Sequence, residues 1–175
     1  MIKNILFLLL FFPLWSVAAS ASGTWQKKWC VESESDQYSV TSLGGDTLEI
    51  LAPKGLTLWY RQMLKGDMTA EYDACVMDEG RDGDRLSDMN FFWMASDPQA
   101  KDIWTRMASR KGVFANCSQL QLYYLGYGGN YNTTTRFRRY HGEPKPPIVK
   151  EYTDADHLLK PNHWYHIRIQ SLKGL

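Results

Sequence analysis

What is scarce in this 175-residue chain narrows it first. Cysteine occurs three times, at Cys30, Cys75 and Cys117. No two are spaced as a metal-binding pair, and an odd number leaves one thiol over if a disulfide forms. At least two read as small buried apolar residues. Net charge is scarce as well: twenty Lys and Arg face nineteen Asp and Glu, a formal +1 at pH 7. A dedicated nucleic-acid binder shows a basic excess, so that class is set aside. Internal repeats and low-complexity linkers are lacking, and the length suits one domain. A long apolar run is lacking too. The only candidate, residues 5–17, is interrupted by Pro13 and Ser16 and falls short of the ~20 residues a membrane span needs.

That run has another reading. Lys3 precedes it and the small-residue triplet Ala19-Ser20-Ala21 follows it, the order of a secretory signal peptide over residues 1–21. No cysteine follows the small residues directly, which argues against a lipid anchor. The expected product is an exported domain, residues 22–175, periplasmic or extracellular and free of the membrane after cleavage. Its length suffices for one core.

What is present points to β-structure. Aromatics make up 14% of the chain, and glycine- and asparagine-rich punctuation recurs at short intervals. Alternating runs predict strands over residues 47–52, 56–64, 69–77, 88–95, 120–127, 133–140 and 164–170. Residues 97–112 change character, with Ile103, Trp104 and Met107 at near-helical spacing, and predict a short surface helix or lid. Residues 143–147 (EPKPP) read as a loop, since proline cannot donate to a ladder. The acidic stretch 78–84 (DEGRDGD) resembles a calcium loop but lacks the full spaced ligand set with its terminal Glu, and reads as a solvated turn. No metal or cofactor is expected. Asn116-Cys117-Ser118 and Asn132-Thr133-Thr134 fit the glycosylation sequon. Several strands, few helices and regular turns give an all-β sandwich or barrel.

Alternation sorts side chains by face. Glu71 and Asp73 share one face of their strand, Asp88 and Asn90 of the next, and Arg136, Arg138 and Tyr140 of a third. If these strands are neighbours, the polar faces pool into one surface. The stretch YYLGYGGNYNTTTRFRRYHG, residues 123–142, has no acidic residue and holds three arginines. Flat rings, amides and guanidinium forks are what sugar recognition uses, and an Arg fork matches the carboxylate of a uronic acid. An antiparallel sheet also has an ordinary wet face, which is the better account of any single one of these residues; only the set as a whole favours a ligand.

The segments GLTLWYRQMLKGDMTAEYDACV, GDRLSDMNFFWMASDP, YYLGYGGNYNTTTRFRRY and EYTDADHLLKPNHWYHIRI together resemble a family of uncharacterised secreted bacterial domains. That family belongs to the concanavalin A-like lectin/glucanase superfamily, and the resemblance covers about residues 25–169. It implies a jelly roll of two antiparallel sheets with a concave glycan-binding face. Such domains continue past the WYHIRI strand with a further hairpin and a closing strand, so the resemblance also implies that C-terminal strands are missing here.

The superfamily holds lectins, hydrolases and lyases, so fold alone does not fix activity. A polysaccharide partner is expected, acted on or merely bound. Similar jelly-roll lyases offset a uronate carboxylate with Arg or Asn and abstract the adjacent C5 proton with Tyr or His. On that pattern Arg138, with Arg136 and Asn130, would neutralise, and Tyr140, His141 or Tyr127 would be the base. Glu71, Asp73, Asp88, Asn90, Tyr124, Tyr127, Asn130 and Arg136 would bind substrate. A hydrolase would need a suitably spaced carboxylate pair. Glu71 and Asp73 do not form the Glu-x-Asp-x-x-Glu signature of jelly-roll glucanases, so hydrolysis ranks lower. The alternative is a non-catalytic carbohydrate-binding module using the same face.

Overall fold

A computed structural model describes residues 25–172, so the expected signal peptide lies outside the described residues. The chain runs α1 (Trp25–Lys28), β1 (Trp29–Ser33), β2 (Ser39–Gly44), β3 (Thr47–Leu51), β4 (Leu56–Tyr60), β5 (Met68–Cys75) and β6 (Met89–Ser96). It continues with α2 (Met107–Arg110), β7 (Gln121–Gly128), α3 (Gly129–Asn132), β8 (Thr134–His141), β9 (Ile148–Tyr152) and β10 (Trp164–Ser171). One antiparallel sheet has the order β6-β7-β8-β9. Three antiparallel pairs accompany it: β5 with β10, β1 with β4, and β2 with β3. The all-β sandwich expected from the sequence is the architecture observed.

The two main layers meet through aromatic rings. Tyr72 of β5 stacks on Phe91 of β6 with centroids 5.7 Å apart, and Tyr165 of β10 meets Tyr127 of β7 edge-on at 5.3 Å. On the same side of the four-stranded sheet, Trp93, Tyr123 and Phe137 cluster, with Trp93 at 5.5 and 5.7 Å from the other two rings. Large rings suit this interface because they bury much area for few rotatable bonds. Against the opposite side pack β4 and the segment 97–120. Trp59 stacks on Phe92 at 5.5 Å. Trp59, Ile103, Leu120, Leu122, Tyr124 and Tyr140 form the buried cluster there, with Cys30, Trp104 and Met107 against it.

The predicted helix over 97–112 shrinks to the four residues of α2. Polar anchoring replaces helical bonding along this segment. The Asp102 carboxylate accepts bonds from the Trp104 and Thr105 amides and the Thr105 hydroxyl at 2.8–3.0 Å. Bonding to Thr105 holds that carboxyl below the usual carboxylate range. A largely buried charged network ties the two ends of this segment together. Arg110 donates from Nε and Nη2 to the two oxygens of Glu32 at 3.1 and 2.9 Å. Trp59 Nε1 donates to Glu32 Oε2 at 2.7 Å. Arg106 donates to Asp97 at 3.2 Å and to Gln119 at 3.0 Å. Arg110 Nη1, also buried, makes no hydrogen bond and approaches Asp97 only to 4.0 Å. This network fastens residues 97–120 to β1.

The three cysteines are all free thiols. Cys117 is buried, and desolvation pushes its thiol up to about 11. The acidic stretch forms a closed turn, in which the Glu79 and Arg81 amides donate to Asp84 Oδ2 at 2.8 and 3.1 Å. Both sequon asparagines are engaged in the fold: Asn116 Nδ2 donates to Arg110 O and Asn132 Nδ2 to Leu159 O.

Candidate functional site

The face of the four-stranded sheet that carries the buried cluster is covered only in part. Beyond the cluster it opens into a groove of about 580 Å³. Two cross-strand rows build its floor. Asn90, Gly126, Arg136 and Glu151 follow one another in register from β6 to β9, and Phe92, Tyr124, Arg138 and Ile148 form the neighbouring row. Leu122 and Tyr140 form a third row over β7 and β8, where the groove meets the core. Side-chain alternation in β8 brings Arg136, Arg138 and Tyr140 to one face, as the sequence predicts.

Gly126 makes the floor possible. A Cβ there would sit 2.1 Å from the Tyr124 hydroxyl oxygen. Its absence lets the Tyr124 ring lie along the strand and donate its hydroxyl to Asn90 Oδ1 at 3.0 Å. Burial pushes the Tyr124 hydroxyl above its usual range, so it stays protonated and remains a donor. Gly126→Ala must swing the ring aside and break that bond. The expected cost is about 1–3 kcal/mol of unfolding free energy, measured by denaturant titration. An unchanged midpoint would mean that the ring moves without loss.

Loops complete the walls. Residues 143–147 fold over Arg138, whose Nη1 donates to the Pro146 carbonyl at 2.7 Å. Lys145 lies on the same wall. Across the groove stands Phe114, with its centroid 5.7 Å from that of Tyr124. At one end the β7–β8 connection passes through three consecutive left-handed residues, Asn130, Tyr131 and Asn132, with φ of 53–57°. L-residues avoid this conformation, though Asn tolerates it best. The Asn132 side chain holds the turn by bonding both the amide and the carbonyl of Leu159, at 2.8 and 2.9 Å. Gly128, itself left-handed, leaves room for Leu159, which a Cβ would approach to 2.5 Å.

Charge in the groove is uneven. Arg136 is paired with Glu151, and Asp88 with Arg85 at 2.8 Å. Among the described residues, Arg138 and Lys145 have no carboxylate partner. Tyr140 is 5% exposed. Burial pushes its hydroxyl up to about 12, against the opposing pull of Arg138.

Of the residues singled out from the sequence, Asp88, Tyr124, Asn130, Arg136, Arg138 and Tyr140 line this groove, and Asn90 supports its floor. Four lie elsewhere. Glu71 and Asp73 belong to β5, which turns Ala70, Tyr72 and Ala74 inward. Their carboxylates face outward and pair across to Arg168 and His166 of β10, each at 3.0 Å. The expected pooling of these two with the other polar faces is therefore corrected: β5 and β8 belong to different layers. Tyr127 has the opposite parity to Tyr124 and points to the other sheet, its hydroxyl donating to Leu158 O at 3.3 Å. His141 has the opposite parity to Tyr140 and is exposed on the far side of β8. Phe114, Ser118 and Lys145 line the groove without having been singled out. Phe114 and Ser118 sit on a short 3-10 helix (Phe114–Gln119) and Lys145 on a loop, segments too short or irregular for periodicity to mark which way a side chain turns.

The protein is thus an all-β sandwich domain with one basic, aromatic-walled groove on its four-stranded sheet. Residues 50–175 match a family described as a domain of unknown function, DUF6250, and the chain belongs to that family. No curated protein and no solved structure matches it. The family match takes in every groove residue named above.

Proposed function

We propose that the protein binds an acidic polysaccharide of the uronate class in this groove, as an exported carbohydrate-binding domain. The carrying observation is the pair Arg138 and Lys145, two cations without carboxylate partners beside the rings of Tyr124 and Phe114. A guanidinium with donors to spare matches a ligand carboxylate, and the rings offer flat faces to a sugar. The resemblance to concanavalin A-like jelly rolls, whose concave sheet holds glycans, agrees with this use of the sheet.

One observation favours a second reading, a polysaccharide lyase. Tyr140 and Arg138 are neighbours on one face of β8, the arrangement needed if Arg138 offsets the uronate carboxylate while Tyr140 takes the C5 proton. Against it, a hydroxyl pushed up to about 12 and 5% exposed is a poor acceptor in the free protein. His141, the other candidate base, faces away from the groove.

Incubation with polymannuronate, polygalacturonate and polyglucuronate, followed by binding isotherms and by ultraviolet absorbance of unsaturated product, separates the readings. Saturable binding without absorbance is the expected result. A rise in absorbance that Tyr140→Phe abolishes while binding is spared would establish the lyase instead, because only the proton acceptor is lost. No binding to any of the three would overturn both readings.

A further inference from the structure

A second cleft, of about 240 Å³, opens where β1 and β4 meet the β2–β3 hairpin. Trp25, Trp29, Tyr60 and Leu48 wall it, and Lys28 and Asp46 approach each other to 3.9 Å at its rim. Two of the rings pack on each other. Trp29 and Tyr60 are register partners with centroids 5.1 Å apart. Arg61 clamps the α1 turn by donating from Nε to the carbonyls of Gln26 and Trp29, at 3.2 and 3.0 Å, and from its amide to Lys28 O at 2.8 Å. Among the described residues, neither the Trp25 nor the Trp29 indole N–H has a protein acceptor. All the lining except Tyr60 precedes the residues matched to the family.

Three ligand chemistries suit aromatic walls, and the rim decides among them. A purely apolar ligand would desolvate the Lys28–Asp46 pair with nothing in return. A quaternary ammonium ion would favour the rings and Asp46 but meet Lys28, which carries the same charge. A neutral pyranose ring offers an apolar C–H face to the indoles. Its hydroxyls can accept from Lys28 and the free indole N–H groups and donate to Asp46.

We infer that this cleft is a second carbohydrate subsite, taking one uncharged pyranose ring against Trp25, Trp29 and Tyr60 with Lys28 and Asp46 on its hydroxyls. The inference rests on the reading of the protein as a glycan binder, but at a separate place and for an uncharged sugar.

The test is a titration of the isotope-labelled protein with methyl glucopyranoside, methyl mannopyranoside and tetramethylammonium chloride, following the indole N–H resonances by NMR. The Trp25 and Trp29 signals should move with at least one glycoside, saturating with Kd of about 1–10 mM. Trp29→Ala should weaken this about tenfold. Asp46→Ala, at a position whose side chain is 97% exposed, leaves the core untouched and should weaken it several-fold. Arg138→Ala should leave it unchanged. Shifts of both indoles without acidic-polymer binding would sink the groove reading alone. Shifts with tetramethylammonium only, or no shift with either glycoside, would overturn the subsite whatever the groove binds.

Discussion

Arg138→Ala should weaken binding of a uronate polymer by roughly ten- to a hundred-fold. A charge-assisted hydrogen bond from a guanidinium contributes on the order of 1.5–3 kcal/mol, and each 1.4 kcal/mol is tenfold in affinity. Arg138 is half-buried, so solvent screens it less than a surface cation. Binding of a neutral polymer should change little. Arg139→Ala is the control for net charge. Arg139 is exposed on the opposite face of β8, its guanidinium 5.6 Å from the centroid of Tyr123, and its loss should leave groove affinity within a factor of about two. Arg138→Lys should fall between, since the charge survives but the fork does not. Calorimetric titration with a uronate oligomer measures all three. Equal affinities for the parent and Arg138→Ala would show that the basic row is only the wet side of a sheet.

Arg110→Ala should cost about 3–5 kcal/mol of folding stability. Its side chain is 1% exposed and that of Glu32 4%, so removing one partner strands the other charge without water. For a domain whose total stability is about 5–15 kcal/mol, that loss is a large part of the whole. The companion Glu32→Gln should cost less, because the amide oxygen, placed where Oε2 stands, still accepts from Trp59 Nε1 and Arg110 Nη2, although its NH2 then faces Arg110 Nε. The denaturant midpoint of each variant gives the comparison. A loss below about 1 kcal/mol for Arg110→Ala would mean that water reaches the site and that the network is not sealed. Because residues 97–120 also supply Phe114 to the groove wall, Arg110→Ala should blunt acidic-glycan binding even where the domain stays folded.

Most of the strands that were legible carry an apolar/polar alternation in the sequence, as β5 does with its exposed positions 69, 71 and 73 between half-buried ones. In β7 the buried positions Leu122, Tyr124 and Gly126 alternate with half-buried ones; β8 is less regular in burial, but strand parity alone puts Arg136, Arg138 and Tyr140 on one side. Three strands were not read. β1 and β2 are short and sparsely patterned, and β9 is exposed at all five positions, so no apolar period marks them. Parity within a strand was legible, but strand order was not. That is why Glu71 and Asp73 were grouped with residues of another layer. Tyr127 was misread because glycines at positions 126 and 128 hide the alternation around it. The ion network escaped because Glu32, Asp97 and Arg110 lie far apart in sequence, and nothing local distinguishes a buried charge from a solvated one.

The stack around Trp93 has an optical consequence. Its ring lies within 7° of parallel to Phe137 and 25° from Tyr123, close enough for their transitions to couple. Trp164, by contrast, is 64% exposed and absorbs as an isolated chromophore. The near-ultraviolet circular dichroism that arises from this stack therefore reports on how side chains pack across β6, β7 and β8. If acid loosens that packing while the ladders persist, this signal vanishes and the far-ultraviolet one remains. The domain carries its own gauge of side-chain order, separate from any gauge of its strands.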